Sequence, residues 1–261
     1  MGGFDLHIHT EFCDGKGTPE AYARAALEKG LDSIGFSAHS PLWFGRRWCM
    51  ARKKVGTYQK AIEDLKKSYA GRLRILCGVE QDYYSRTPVK GYDYVIGSVH
   101  YVKKYGIPLS VDASPKSFAR IVRWGFHGDA YAFAERYYQT LADVVNRTDA
   151  DIIGHFDLIK KFNAGNRFFD ENHPRYIAAW QSAADALLQS GAFFEINTGA
   201  ISRGYRVDAY PSPAIRDYLR ARGARFLLSS DSHRPENLCT AFEIYAAEAE
   251  RDMPIFAGHK E

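Results

Sequence analysis

Histidines and acids recur along this chain at places where a bound metal would want them. His7 and His9 stand two apart in FDLHIH (4–9). His39 ends SIGFSAH (33–39), Glu80 ends LRILCGVE (73–80) and His100 ends YDYVIGSVH (92–100). His155 lies late in DIIGHFD (151–157), while Asp231 and His233 close RFLLSSDSH (225–233). Imidazole and carboxylate are ligands of zinc, manganese and iron, and no thiolate is placed to select a softer ion. Eight such groups exceed what one tetrahedral ion can use, so at least two ions are implied. Two ions about 3.5–4 Å apart form a clamp suited to phosphoester cleavage. Asp14, in the loop after His9, is a ninth candidate, although an Asx-turn before Gly15 explains it equally well.

These residues converge only if the elements carrying them do. The runs above, with AFFEINT (192–198), read as seven short strands, and residues two apart on a strand share a face. Between them lie helical stretches. Thr18-Pro19-Glu20 opens one that Gly30 closes, a second runs from about Asp129 to Asn146, and a third runs from Pro174 to Gln189. Ser212-Pro213 starts a fourth that ends near Gly223. Strands alternating with helices predict a parallel sheet, and seven units in 261 residues favour a barrel over an open sheet. No linker or repeat breaks the chain, so 1–261 is read as one α/β barrel domain. A parallel barrel gathers its strand C-termini on one rim, where barrel enzymes place their sites. The stretches 40–50 and 101–128 are longer than ordinary connections and are expected to be binding loops or lids.

Composition narrows the classes. With 46% hydrophobic and 25% charged residues the chain is expected to fold as a globular protein. A net charge of +4 with interspersed signs gives no basic groove for nucleic acid. No apolar run approaches the ~18 residues of a membrane span, and MGGFDLHIHT lacks the apolar stretch of a signal peptide. Cys13, Cys49, Cys77 and Cys239 are scattered, without a CxxC pair. A reduced, cytoplasmic protein with no membrane partner is expected.

The ordered set Asp5-Leu6-His7-Ile8-His9-Thr10, His39, Gly-Val-Glu80, Gly-Ser-Val-His100, Gly-His155-Phe-Asp and Ser-Asp231-Ser-His233 resembles the motifs of the PHP (polymerase and histidinol phosphatase) family. It spans almost the whole chain. GHFDLIKKFN (154–163), EINTGAISRGYR (195–206), YPSPAI (210–215) and LLSSDSHRPENL (227–238) are most similar to the histidinol-phosphate phosphatases of that family. The resemblance implies a distorted (β/α)7 barrel holding three divalent ions, zinc, iron or manganese. His7, His9, Glu80 and Asp231 would hold the first. Glu80 would bridge to a second, shared with His100 and His155. His39, His233 and Asp14 would hold the third, where many relatives carry a histidine and where a carboxylate favours iron or manganese.

The activity implied is hydrolysis of a small phosphate monoester, L-histidinol phosphate, by a metal-bound hydroxide, with inorganic phosphate as product. Arg203 and Lys160 are the candidate phosphate cations, and Asn197 is a candidate substrate contact. Asp231 and His233 are the nearest groups to protonate the departing alkoxide. Asp5 is a candidate partner of a ligand imidazole, and Trp43 and Phe44 could cover an imidazole ring. Two other readings compete: a PHP-type nuclease or nucleotide phosphoesterase, and a non-catalytic metal-binding domain.

Overall fold

In a computed structural model that describes residues 3–45 and 47–259, seven parallel strands are joined in chain order into one sheet. The first four are β1 (Phe4–Asp5), β2 (Ser33–Phe36), β3 (Arg74–Asp82) and β4 (Tyr94–Ser98). The chain then leaves the sheet for an antiparallel hairpin, β5 (Tyr101–Lys104) with β6 (Ile107–Ser110), and returns as β7 (Ile152–Ile153), β8 (Phe193–Asn197) and β9 (Phe226–Ser229). The sheet order is β1-β2-β3-β4-β7-β8-β9. Its edges meet: Ile8 bridges Ser232 in parallel, with His9 N donating to Ser232 O at 2.8 Å and Ser232 N to His7 O at 3.0 Å. The fold is therefore a distorted (β/α)7 barrel, closed by the residues that interleave His7, His9, Asp231 and His233.

The longer helices are α1 (Pro19–Glu28), α2 (Val55–Ser68), α3 (Pro115–Arg120) and α4 (Ala130–Leu141) in the first half, then α5 (Val144–Thr148), α6 (Pro174–Leu188) and α7 (Pro213–Arg220). Thr18 caps α1 as its sequence predicts, its hydroxyl accepting from Ala21 N at 3.2 Å. The single helix expected over 129–146 is two. At Asp143 the backbone leaves the α-helix, its N–H turning to Thr140 O, while its carboxylate receives Tyr83 OH and Asn146 Nδ2. Among the described residues no helix is long and apolar enough to cross a membrane.

The regular strands are shorter than the apolar runs suggest, and most of the histidines lie just beyond them. There the backbone peels away from its ladder and turns side chains over the barrel mouth. One tyrosine fixes that end from below. Tyr94 OH donates to Leu6 O at 2.5 Å and lies 3.2 Å from Phe36 O, tying the ends of β1 and β2 to β4. Its ring occupies the space that Gly35 and Gly78 leave open, where a Cβ on either would fall inside the tyrosine. Gly78→Ala should therefore lower unfolding stability by about 1–3 kcal/mol through overpacking. A urea midpoint equal to wild type would overturn that packing argument.

Candidate metal centre

Glu80, the seventh residue of β3, stands at the centre of the mouth with both carboxylate oxygens facing imidazoles. Oε2 lies 2.7 Å from His39 Nδ1, 3.4 Å from His7 Nε2 and 3.5 Å from His9 Nε2. Oε1 faces His155 Nε2 at 2.9 Å and His100 Nε2 at 3.4 Å. One carboxylate thus parts five imidazoles into two groups. Asp231 Oδ1 comes from the opposite edge, 3.3 Å from His9 Nε2 and 3.8 Å from His7 Nε2. Asp14 joins on the outer side, its Oδ1 3.6 Å from His39 Nε2 and 3.4 Å from His233 Nε2. The ligand atoms of His9, Asp14, His39 and His233 all lie within 4.8 Å of one another, as do those of His7, His9 and Glu80, and of His39, Glu80 and His100. All nine residues singled out as ligands from the sequence are brought together here.

The donor set fits divalent ions. His7 Nε2, His9 Nε2, Glu80 Oε2 and Asp14 Oδ1 are buried atoms with no hydrogen-bond partner. Buried polar atoms are nearly always satisfied, so four orphans aimed into one space mark a place for a cation. The carboxylates among these groups are held in their ligand form. Burial alone would raise the Glu80 carboxyl, but His39, His100 and His7 hold it well below the usual carboxylate range. Asp231 is likewise held down against its burial by Arg203 and His7. His9 is kept unprotonated too, by burial and by its neighbours His39 and His233, which disfavour a proton on it. The same carboxylates raise His7, His39 and His100 above the ordinary imidazole range, so an ion entering the site would displace protons from these rings.

Two acids and one aromatic around the candidate ligands carry no signal in the sequence. Glu195 in β8 accepts from His7 Nδ1 at 2.5 Å and from His155 N at 2.7 Å. It also receives Ser229 Oγ and, at 3.0 Å, Asn197 Nδ2. Asp82 accepts from His100 N at 3.1 Å, with His100 Nδ1 at 3.3 Å. Such carboxylates fix the ring and its tautomer, leaving Nε2 free for the ion. Asp5, expected in that role, touches no imidazole. It receives Ser230 Oγ, with Ser230 N at 3.1 Å, and so clamps β1 to the end of β9. Trp48 covers two of the candidate ligand imidazoles, its ring centroid 4.5 Å from His39 and 5.1 Å from His100. Trp43 is 67% exposed, and Phe44 packs on Tyr101.

The mouth opens into a cleft of about 470 Å³. Beyond the ligands its walls include Trp48, Tyr101, Asp112, Lys161, Arg203 and Tyr205. Arg203 is where the sequence places it. Its guanidinium reaches Asp231 Oδ2 at 2.8 Å and Asp231 O at 2.9 Å, with a quarter of the side chain exposed. Two other expected substrate contacts are corrected. Lys160 is 0% exposed, because the 3₁₀ turn Leu158–Lys160 points it inward to Asp157 at 3.2 Å, Asp208 at 3.6 Å and Glu171 at 3.8 Å. The cation that the turn presents to the cleft is its neighbour Lys161. Asn197 is also fully buried. Its Nδ2 serves Glu195 and Asp231 (3.3 Å) and its Oδ1 accepts from Gly199 N at 2.9 Å, which leaves no atom for substrate. Asp231 is unsuited as a proton donor, since Arg203 and His7 keep it ionised.

Comparison with known proteins gives a concordant picture. A Deinococcus radiodurans protein named "probable histidinol-phosphatase" is 32% identical over 245 residues, covering 88% of this chain and 86% of that one. The Bacillus subtilis histidinol-phosphatase is 25% identical, with 92% and 97% covered. A crystal structure from Listeria monocytogenes superposes with a TM-score of 0.83 at 21% identity, over 93% of this chain and 99% of that one. The Lactococcus lactis histidinol phosphate phosphatase, solved with zinc, L-histidinol and phosphate, superposes with a TM-score of 0.71 at 19% identity, over 99% and 98%. The family model for the PHP domain matches residues 5–199, from β1 through the end of β8 and with it seven of the nine ligand candidates, and the chain belongs to the PHP domain family.

Proposed function

We propose that this protein is a metal-dependent phosphomonoesterase that hydrolyses L-histidinol phosphate to L-histidinol and inorganic phosphate. The observation that carries the reading is the bridging position of Glu80, with imidazoles on both oxygens and unsatisfied donor atoms around it. The names of the relatives, and zinc with histidinol and phosphate in the Lactococcus lactis protein, support the substrate and favour zinc among the three candidate metals. His7, His9, Glu80 and Asp231 would hold one ion, Glu80 with His100 and His155 a second, and Asp14, His39 and His233 a third. Bound ions would supply positive charge to the phosphoryl oxygens and acidify a water nucleophile.

The chain's own groups do the rest. Arg203 anchors Asp231 with one edge and offers its remaining donors to the cleft, where a phosphate can take them. Lys161, which also lines the cleft, adds a second cation. Glu195 and Asp82 keep His7 and His100 in one tautomer, so that no reorganisation is needed when the ligands are engaged. His233 would lend Nε2 to the third ion and its Nδ1 faces Arg203 Nη1 at 3.1 Å, so neither expected acid is free to protonate the departing alkoxide, and that proton is left to water at the open mouth.

The test is turnover of purified protein, with metals quantified, on L-histidinol phosphate, a nucleoside monophosphate and single-stranded DNA. Histidinol phosphate should be the preferred substrate by kcat/KM. Faster hydrolysis of the nucleotide or the DNA would replace this reading with the nuclease one, and metal binding without any turnover would leave a non-catalytic domain. The two lysines should separate in the same assay. Lys161→Ala should lower kcat/KM about 10-fold or more, as expected for one charge-assisted phosphate contact. Lys160→Met should instead lower stability by about 3–5 kcal/mol, because it strands the buried Asp157 and removes the cation facing Glu171 and Asp208. The reverse pattern would return the phosphate role to Lys160. Arg203→Ala should cost roughly 10- to 150-fold in kcat/KM, with Arg203→Lys recovering only part, because an ammonium keeps the charge and loses the planar fork. An unchanged kcat/KM would make Arg203 a structural clamp on Asp231.

A further inference from the structure

The cleft contains one feature that phosphate binding does not explain. Its metal ligands apart, a site for a dianion should be lined by donors, yet Asp112 faces into it from the end of the β5–β6 hairpin. The carboxylate is held there on purpose-built local geometry. Ser110 Oγ donates to Asp112 Oδ1 at 3.2 Å, and Asp112 N returns a bond to Ser110 Oγ at 3.4 Å. The preceding residue docks the hairpin onto the metal centre, Val111 N donating to His100 O at 3.0 Å. Asp112 therefore sits at a fixed offset from a proposed ligand. It is ionised: burial would raise it, but Lys161, His100 and the Lys161 hydrogen bond bring it down to about 2. Lys161 Nζ contacts it at 3.1 Å and also reaches Asp112 O at 3.3 Å. If the carboxylate existed only to hold Lys161, the carbonyl beside it already provides an acceptor.

We infer that Asp112 is the specificity residue for a cationic amine on the substrate, taking the ammonium of an amino-alcohol phosphate as Lys161 turns its charge to the phosphate. The inference rests on the phosphatase reading above and adds the residue that would recognise the substrate's amine. Charge balance supports it. Before substrate arrives, Asp112 and Lys161 neutralise each other. A zwitterionic substrate brings one ammonium and one phosphate, so both protein charges keep an opposite partner after an exchange. A phosphate monoester without an amine would draw Lys161 away and leave Asp112 uncompensated in a partly buried site, at a cost to binding. The adjoining wall, where Trp48 and Tyr101 lie 15° from parallel with Trp48 Nε1 bonded to Tyr101 OH at 3.1 Å, offers a flat surface for the rest of the molecule.

The experiment compares L-histidinol phosphate with 3-(imidazol-4-yl)propyl phosphate, which differs only by the amine, on wild type, Asp112→Asn and Asp112→Glu. Wild type should favour the amine roughly 10- to 100-fold in kcat/KM, carried mainly by KM. Asp112→Asn should abolish that ratio, and Asp112→Glu should restore part of it. A wild-type ratio near one overturns the inference without recourse to any variant. Equal losses on both substrates in Asp112→Asn also overturn it, leaving Asp112 as a support for Lys161. Wild type inactive on both phosphates, with metals bound, would instead bring down the phosphatase reading and this inference with it.

Discussion

Glu80→Gln should leave a folded protein that binds less metal and has lost about 10³-fold or more in kcat/KM. Both of its oxygens face imidazoles, Oε2 toward His7, His9 and His39 and Oε1 toward His100 and His155. An amide keeps the volume but presents one acceptor and one donor. The donor end would point at nitrogen atoms that need to remain ligands, and the negative charge offsetting two cations would be gone. Groups that merely orient a ligand already contribute 10- to 100-fold in metal affinity or activity, so the shared carboxylate should exceed that range. Elemental analysis of the purified variant and its steady-state kinetics check the result together. Wild-type metal content with wild-type turnover would show that Glu80 bridges nothing.

The candidate ligands are legible in the sequence for a physical reason. Strand ends in a parallel barrel share one rim, so residue type plus position near the C-terminal end of an apolar run is enough to locate His39, Glu80, His100 and Asp231 without any contact information. Asp14 needed the structure, because a short loop acid looks the same whether it caps a turn or faces an ion; here its Oδ1 faces His39 and His233. What sets the ligands was hidden. Glu195 meets His7 across 188 positions of sequence, and nothing in AFFEINT distinguishes it from a buried strand acid, except that the sixth run otherwise brings no ligand to the mouth. Lys160 and Lys161 are adjacent and identical, and only the direction of a 3₁₀ turn decides which meets the cleft. The same holds for Trp43 and Trp48, one outside and one over His39. The long excursion after β4, expected to be a binding loop or lid, brings Tyr101, Ser110 and Asp112 to the cleft wall. That it begins with a hairpin, tied by Val111 to His100, follows from pairing that periodicity over four-residue strands does not reveal.

Replacing Glu195 should be nearly as damaging as replacing Glu80, although it would ligate no ion. Its carboxylate receives His7 Nδ1, His155 N, Asn197 Nδ2 and Ser229 Oγ, all buried. Burial would push its proton affinity up, but His7 holds it down, so it is a full charge inside the barrel. Glu195→Ala strands four donors, each costing about 1–3 kcal/mol when left unmet, though water entering the space recovers part. A net loss of roughly 3–5 kcal/mol is expected, in line with breaking a buried charged pair. Glu195→Gln should be milder in stability yet still costly for metal, because its NH₂ confronts one of the donors and the His7 ring loses the partner that fixes Nδ1–H. Metal affinity in that variant should fall about 10- to 100-fold. Competition with a chelator measures that loss, and urea unfolding measures the first. Saturating metal should return much of the Glu195→Gln turnover, since orientation is weakened while every ligand remains. If saturating metal restored nothing while affinity stayed at wild type, Glu195 would have to act on the reacting atoms themselves, which its burial behind His7 does not allow.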